Sequence, residues 1–154
     1  MVHRLVVLEW LYKADQDFRF AEILKKQKSP YYDQICFFFH QAAEKYLKAY
    51  IVKFDLRFEK QHDLVRLARI CDKHNPIFKV LEKSCQFLTP FYFETRYPGD
   101  VFSAATRNQA DGAYKKAREV QVLIRKSLGI KREVTLEDVK EENEEVERLL
   151  RKKG

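Results

Sequence analysis

Apolar side chains recur every three or four residues through most of this chain, a spacing that places them on one face of an α-helix. The pattern begins at residues 3–26, and further segments with the same period cover residues 31–53, 62–74, 76–88 and 107–128. The apolar stripe of the first segment consists of Val7, Leu11, Ala14, Phe18 and Ala21. We therefore expect five helices that each turn one face toward a shared core.

The segment 36–53 differs from the others because apolar side chains cover most of its circumference. Its polar residues share one narrow stripe, formed by Gln41, Glu44, Lys45 and Lys48. A helix that is apolar nearly all round is usually buried, so this segment is predicted to be the central helix. Two roles for the stripe stay open. It is either a polar seam that reaches solvent or a functional groove into which Gln41, Lys45 and Lys48 point.

The segments are separated by residues that break helices. Pro30 and Pro76 mark two breaks, and Gly129 is suited to cap the last core helix. Residues 89–106 lose the helical period and contain two prolines and five aromatic side chains, so we expect them to cover the core or build a site. Four Gly and four Pro are too few for the turns of an all-β fold. The predicted fold is all-α, an antiparallel up-and-down bundle of four to five helices with an additional C-terminal amphipathic helix.

The C-terminal segment carries helix signals of its own. Thr135 and Asp138 have the spacing of a capping box. The positions that follow repeat as in a coiled coil, with Leu136, Val139, Asn143, Val146 and Leu150. Two heptads are too short for a stable coiled coil alone, so this helix should dock on the bundle or pair with a second chain. We therefore divide the chain into a bundle at residues 1–129 and a charged docking or oligomerisation helix at residues 130–154.

Charge is distributed unevenly along the chain. The net charge is +7, but residues 133–154 hold eight acidic and five basic side chains, so residues 1–132 carry +10. A basic body favours polyanionic partners such as RNA, nucleotides or an acidic protein surface. Three cysteines without a CxxC pair indicate reduced core residues. Since neither a signal peptide nor a membrane-spanning segment is visible, a cytoplasmic protein is expected.

Three segments resemble the signature of the HEPN family, which consists of small all-helical domains. They are HQAAEKYLKAYI at residues 40–51, the start of the next helix at His62-Asp63-Leu64, and FYFETRYP at residues 91–98. The resemblance implies a cytosolic homodimer that acts as a nucleotide-binding or substrate-binding module. It also implies a separate minimal nucleotidyltransferase as the partner, as in toxin–antitoxin-like pairs.

The same resemblance suggests where a nucleotide would bind. Lys45, Lys48 and Arg96 would contact phosphate, and Gln41 would line the same groove. Tyr97 would contact a base, since aromatic rings stack on bases. No cofactor other than such a bound nucleotide is expected. No metal site is expected either, because the chain contains neither a Gly-rich phosphate loop nor a metal-binding motif.

Many members of the wider family are metal-independent ribonucleases with an Arg-x(4–6)-His motif. This chain contains the motif as Arg57 with His62 and as Arg69 with His74, whereas about one match is expected by chance. His62 is predicted to begin a helix, where backbone N–H groups favour an anion, so the first pair is the stronger candidate. An endoribonuclease that uses Arg57 and His62 is the alternative to the binding module. A dimeric interaction protein without a small-molecule site is a third possibility, and His40 is expected only to pack.

Overall fold

The computed structural model describes residues 2–58, 60–94, 98 and 103–154, leaving out the side chains of Val2, His3 and Glu94. These residues form seven α-helices and one 3-10 helix. The α-helices are α1 (Val2–Lys26), α2 (Tyr32–Lys53), α3 (Leu64–His74), α4 (Glu82–Leu88), α5 (Phe91–Glu94), α6 (Arg107–Leu128) and α7 (Leu136–Lys153). The 3-10 helix, Pro76–Leu81, leads directly into α4. Not one of these helices has the length and apolar character needed to cross a membrane.

The helices pack as an antiparallel up-and-down bundle with α2 at its centre, which confirms the predicted fold class. α2 packs against α1, α3, α5 and α6. Its side chains Tyr46, Leu47 and Ile51 have no exposed surface. Fully burying an apolar side chain of this size stabilises a fold by about 1.5–3 kcal/mol, so α2 is the element on which the bundle depends. The predicted stripe of α1 is buried against it, at Val7, Leu11, Ala14, Phe18 and Ala21.

Helix caps that the sequence predicts are present. Gly129 ends α6 with a φ of 68°, in the left-handed region that glycine adopts without strain. Thr135 and Asp138 form a capping box at the start of α7, in which each side chain accepts a hydrogen bond from the other residue's backbone N–H. A second capping box joins Thr106 and Gln109 at the start of α6. The boundaries of both C-terminal helices are therefore determined locally.

Two predicted helices differ in detail from the structure. α3 begins at Leu64 and not at His62, because the Asp63 side chain accepts hydrogen bonds from the next free N–H groups and acts as the N-cap. His62 therefore lies just outside the helix. The predicted helix at residues 76–88 is divided into the 3-10 helix and α4. Asn75 caps this segment, and 3-10 winding is frequent at helix starts.

α7 docks along α1 in the opposite direction. Arg4 near the start of α1 pairs with Glu142 at 3.0 Å, while Arg19 farther along α1 lies 3.8 Å from Glu133, just before α7. Val146 is buried on the docked side. The C-terminal helix thus packs on its own bundle, which is one of the two arrangements that the sequence allows.

A buried carboxylate ties the segment before α7 to the bundle. Asp15 of α1 is 5% exposed and accepts a hydrogen bond from the Tyr46 hydroxyl. It also accepts from the Arg125 guanidinium of α6 at 2.6 Å and from the Val134 N–H at 2.8 Å. Burial and the Asp15 carboxylate raise the pKa of Tyr46, so its hydroxyl remains protonated and able to donate. One side chain therefore connects α1, α2, α6 and the start of the C-terminal segment.

Replacing Asp15 by alanine should lower the free energy of unfolding by about 3 kcal/mol, because the partner charge of Arg125 is left unpaired. The segment before α7 should also separate from the bundle more often, because the hydrogen bond from the Val134 N–H to Asp15 is lost. Urea unfolding followed by circular dichroism tests the first effect, and hydrogen exchange of the α7 amides tests the second. Gln16→Ala, at the exposed neighbouring position, is the matched control. If Asp15→Ala were no less stable than this control, the assigned role of Asp15 would be wrong.

Candidate functional site

A chain of hydrogen bonds runs through the polar stripe of α2 and reaches the residue in front of the α3 cap. It passes from Gln41 to His40, from His40 to the His62 backbone, from the His62 ring to Glu44, and from Glu44 to Lys48. Three residues that the sequence nominates for a site, Gln41, Lys48 and His62, are thereby brought together. The other two members of the chain, His40 and Glu44, join them.

Glu44 is the centre of this chain. The residue is 4% exposed, and its carboxylate accepts a hydrogen bond from Lys48 Nζ at 2.6 Å. The Nδ1 of His62 lies 3.0 Å from its other oxygen. A buried carboxylate is costly unless charged and hydrogen-bonding partners surround it, and Lys48 and His62 satisfy this requirement. Lys48 is itself buried, so this part of the stripe does not lie open to solvent as a polar seam would.

His40 has no exposed surface and holds His62 through its backbone. Burial lowers the pKa of His40, and the nearby Glu44 carboxylate opposes this effect only in part, so the neutral form of the ring is favoured. Its Nε2 lies 3.1 Å from the His62 carbonyl oxygen, which can only accept, so Nε2 carries the proton. Nδ1 is then an acceptor, so Gln41, whose Oε1 lies 3.1 Å away, can satisfy it only when the amide is turned by about 180° to present its NH₂ group.

His62 presents an oriented imidazole at the surface. Its side chain is 34% exposed, and Nδ1 faces the Glu44 carboxylate, which can only accept a hydrogen bond. In the neutral ring the proton therefore lies on Nδ1, and Nε2 is left as an acceptor. The ring stacks on Tyr92 of α5, with centroids 3.9 Å apart and planes 11° apart. The Glu44 carboxylate and the Tyr92 ring together restrict the His62 ring to one orientation.

The two lysines of the stripe both have acidic partners. Lys45 pairs with Asp17 of α1. Burial raises the pKa of Asp17, and the hydrogen bond from Lys45 opposes that shift. Lys48, paired with Glu44, also lies 5.4 Å from the centroid of the Trp10 ring, within the range of a cation–π contact. A phosphate that contacts either lysine must therefore compete with a carboxylate.

Arg57, the candidate partner of His62, has an exposed side chain. It lies in the connection between α2 and α3, five residues before His62. Arg96 and Tyr97, which the sequence nominates for phosphate and base, lie outside the described residues, shortly after α5. Arg69 instead pairs with Glu82 at 3.4 Å.

His74, the partner of Arg69 in the second copy of the ribonuclease motif, is hydrogen-bonded through Nδ1 to the hydroxyl of Tyr50, 2.7 Å away. Tyr50 lies in the C-terminal part of α2, near its end at Lys53. The two Arg-x4-His pairs are therefore in different surroundings. Only His62 lies beside the stripe of α2.

Sequence reasoning missed the roles of His40, Tyr92 and Trp10. One signal was available, because His40, Glu44 and Lys48 are spaced four residues apart and so lie on one face of α2. The contact of this face with Tyr92 and His62 depends on tertiary packing. Among the described residues, no group of three or more His, Cys, Asp and Glu side chains is arranged to hold a metal ion.

The neutral state of His40 predicts a dependence of stability on pH. Its pKa is lowered in the folded protein, so the unfolded chain binds more protons below the ordinary value of 6.5. Stability should therefore be lost as the pH falls below 6.5 toward the folded-state pKa. Urea midpoints from pH 7.5 to 4.5 in His40→Gln should show a weaker dependence than the wild type, with His74→Gln as the control. An unchanged slope in His40→Gln would contradict the assignment.

Comparison with known proteins agrees with this fold. The model of the family described as HEPN domain matches residues 7–127. The crystal structure of TT1696 from Thermus thermophilus superposes with a TM-score of 0.68 at 24% identity, covering 78% of this chain and 96% of that one, and supports the fold alone. The structure of ST0689, an archaeal HEPN homologue, superposes with a TM-score of 0.62 at 25% identity, covering 81% and 98%. No curated protein sequence matches significantly. This chain belongs to the HEPN family.

Proposed function

We propose that this HEPN protein is a nucleotide-binding module that acts with a separate minimal nucleotidyltransferase, in the manner of a toxin–antitoxin-like pair. The observation that carries the proposal is the hydrogen-bonded chain that joins Gln41, His62 and Lys48 at one place on the bundle. The sequence predicts Gln41 and Lys48 as residues of a nucleotide groove, and His62 as the base of the alternative ribonuclease site. A shared location is what a binding site requires and what scattered surface residues would lack.

The chemistry of this place suits a nucleotide. His62 offers a fixed imidazole nitrogen, and Tyr92 offers an aromatic face beside it. Lys45 is half-buried beside Asp17, whose charged form is disfavoured by burial. A phosphate that reaches Lys45 replaces a carboxylate that is costly to keep ionised, which favours the exchange. On this proposal Arg96 contacts phosphate and Tyr97 contacts the base, as the family resemblance implies, and the partner enzyme supplies the transfer chemistry.

Trp10 provides an intrinsic probe of the site, because it is the one tryptophan of the chain and lies beside Lys48. Titration with ATP, GTP, CTP and UTP in turn should change its fluorescence saturably for at least one nucleotide. Lys45→Met and His62→Phe should each weaken binding by about tenfold to a hundredfold, since a hydrogen bond to a charged group contributes about 1.5–3 kcal/mol. His62→Phe keeps an aromatic ring against Tyr92, and Lys48 still neutralises Glu44 in both variants.

The control for these variants is Lys73→Met, which removes an exposed lysine at the far end of α3. It should bind like the wild type. Lys48 itself is unsuitable for replacement, because its loss would leave the buried Glu44 carboxylate with His62 alone. The proposal fails if no nucleotide changes the fluorescence, or if Lys73→Met weakens binding as much as Lys45→Met.

A specific observation also favours an endoribonuclease. A proton on Nδ1, held by a buried carboxylate, leaves Nε2 of His62 free to accept a proton, and this is the arrangement of an oriented general base. Such a base would take the proton of a 2′-hydroxyl as its oxygen attacks the adjacent phosphorus. The 5′-oxygen of the next nucleotide would leave and take up a proton from water, and a 2′,3′-cyclic phosphate would remain. Arg57 would stabilise the charge on the phosphate.

Single-stranded RNA incubated with the purified protein in EDTA tests this second function. Cleavage to cyclic-phosphate ends is expected for the wild type and should fall at least a hundredfold in His62→Phe and in Arg57→Ala. Arg69→Ala is the matched control, because Arg69 belongs to the other copy of the motif and pairs with Glu82. Cleavage that survives in His62→Phe would exclude His62 as the base. No cleavage by the folded wild type would contradict the endoribonuclease function.

A further inference from the structure

α7 has two columns of mainly apolar residues, and among the described residues only one of them packs against the rest of the chain. Val139, Val146 and Leu149 face α1 and are buried or half-buried. Leu136, Asn143 and Leu150 form a second column along one edge of the docked side, and Leu136 and Leu150 are 49% and 60% exposed. We infer that this second column binds the same column of a second copy of this chain, with the two α7 helices antiparallel.

The spacing of the second column is that of a helix-pairing seam. Its members lie seven residues apart, and positions seven apart on a helix drift by only about 20°. The side chains of Leu136, Asn143 and Leu150 can therefore all contact the same neighbouring helix. α7 is already ordered by its capping box and by docking on α1, so pairing does not require a new helix to fold.

The charges of α7 determine the direction of pairing. Residues 136–147 hold seven acidic side chains and one basic, whereas residues 148–153 hold four basic and no acidic side chains. In an antiparallel pair, the basic end of each helix lies beside the acidic start of the other. A parallel pair would place like charges side by side along its whole length, which is destabilising. The helix is thus complementary to itself in one direction only.

The column is also symmetric about its polar member. A twofold axis at Asn143 places Leu136 of each copy against Leu150 of the other. It also brings Lys140 beside Glu147 of the other copy, and both lie on the outer flank of the column. The two Asn143 side chains meet on the axis, and a buried Asn pair is a known means of fixing register. α7 lies outside the residues that the family model matches, so this surface is an addition to the family's bundle.

Cysteine cross-linking tests the geometry. Asn143→Cys places a thiol on the proposed axis, so mild oxidation should convert most of the protein to a disulfide-linked dimer. Glu145→Cys is the control, because residue 145 is exposed on the other flank of α7 and should remain largely uncross-linked. The three native cysteines do not interfere, since all are buried and burial raises the pKa of each to about 12. Equal cross-linking of both variants, or none of Asn143→Cys, would overturn the inference.

Sedimentation equilibrium of the full chain tests the energetics. The wild type should reach twice its chain mass of 18.5 kDa, and Leu150→Glu should raise the dimer dissociation constant at least tenfold. Val80→Glu, at a more exposed apolar residue of the 3-10 helix, should have no effect. Lys140→Glu and Glu147→Lys should each weaken the dimer, and the double exchange should restore it. A monomeric wild type, or a dimer unchanged by Leu150→Glu, would contradict the inference, and neither result depends on nucleotide binding.

Discussion

The site depends on the burial of one carboxylate. Glu44 is inside the bundle, and a carboxylate in that position requires partners that compensate for the lost water. Lys48 supplies a charge from the next turn of α2, and His62 supplies a donor from the connection before α3. This need explains why a lysine is buried and why a surface imidazole has a fixed orientation. The buried lysine and the oriented imidazole of the site are thus both consequences of the need to stabilise the Glu44 carboxylate inside the bundle.

Two buried carboxylates hold the bundle together at different places. Asp15 joins α1 and α6 to the segment before α7, and Glu44 joins α2 to the start of α3. Tyr46 links Asp15 to α2 through its hydroxyl. Polar groups of this kind fix which helix faces meet, whereas apolar stripes alone tolerate sliding. The position of α7, and therefore the direction in which its second column points, depends on the Asp15 contacts.

Much of the fold could be predicted from local pattern. The helical stripes, the left-handed cap at Gly129 and the capping box of Thr135 are each specified by residues close in sequence. The site was less predictable, because its geometry combines four separate elements. The sequence places Lys48 on a polar stripe but cannot show that the stripe is covered by α1 and the connection before α3. His40 was expected only to pack, since its bond to the His62 carbonyl joins residues twenty-two positions apart.

The tautomers of His40 and His62 test the central role of Glu44 most directly. Long-range proton–nitrogen correlation spectra of the ¹⁵N-labelled protein distinguish the two ring nitrogens, with His40→Gln and His62→Phe used for assignment. If Glu44 orients the ring, neutral His62 carries its proton on Nδ1 and His40 carries its proton on Nε2, and Glu44→Gln alters the His62 signals most. A neutral His62 with its proton on Nε2 would show that Glu44 does not orient the ring, and the proposed site would lose its basis.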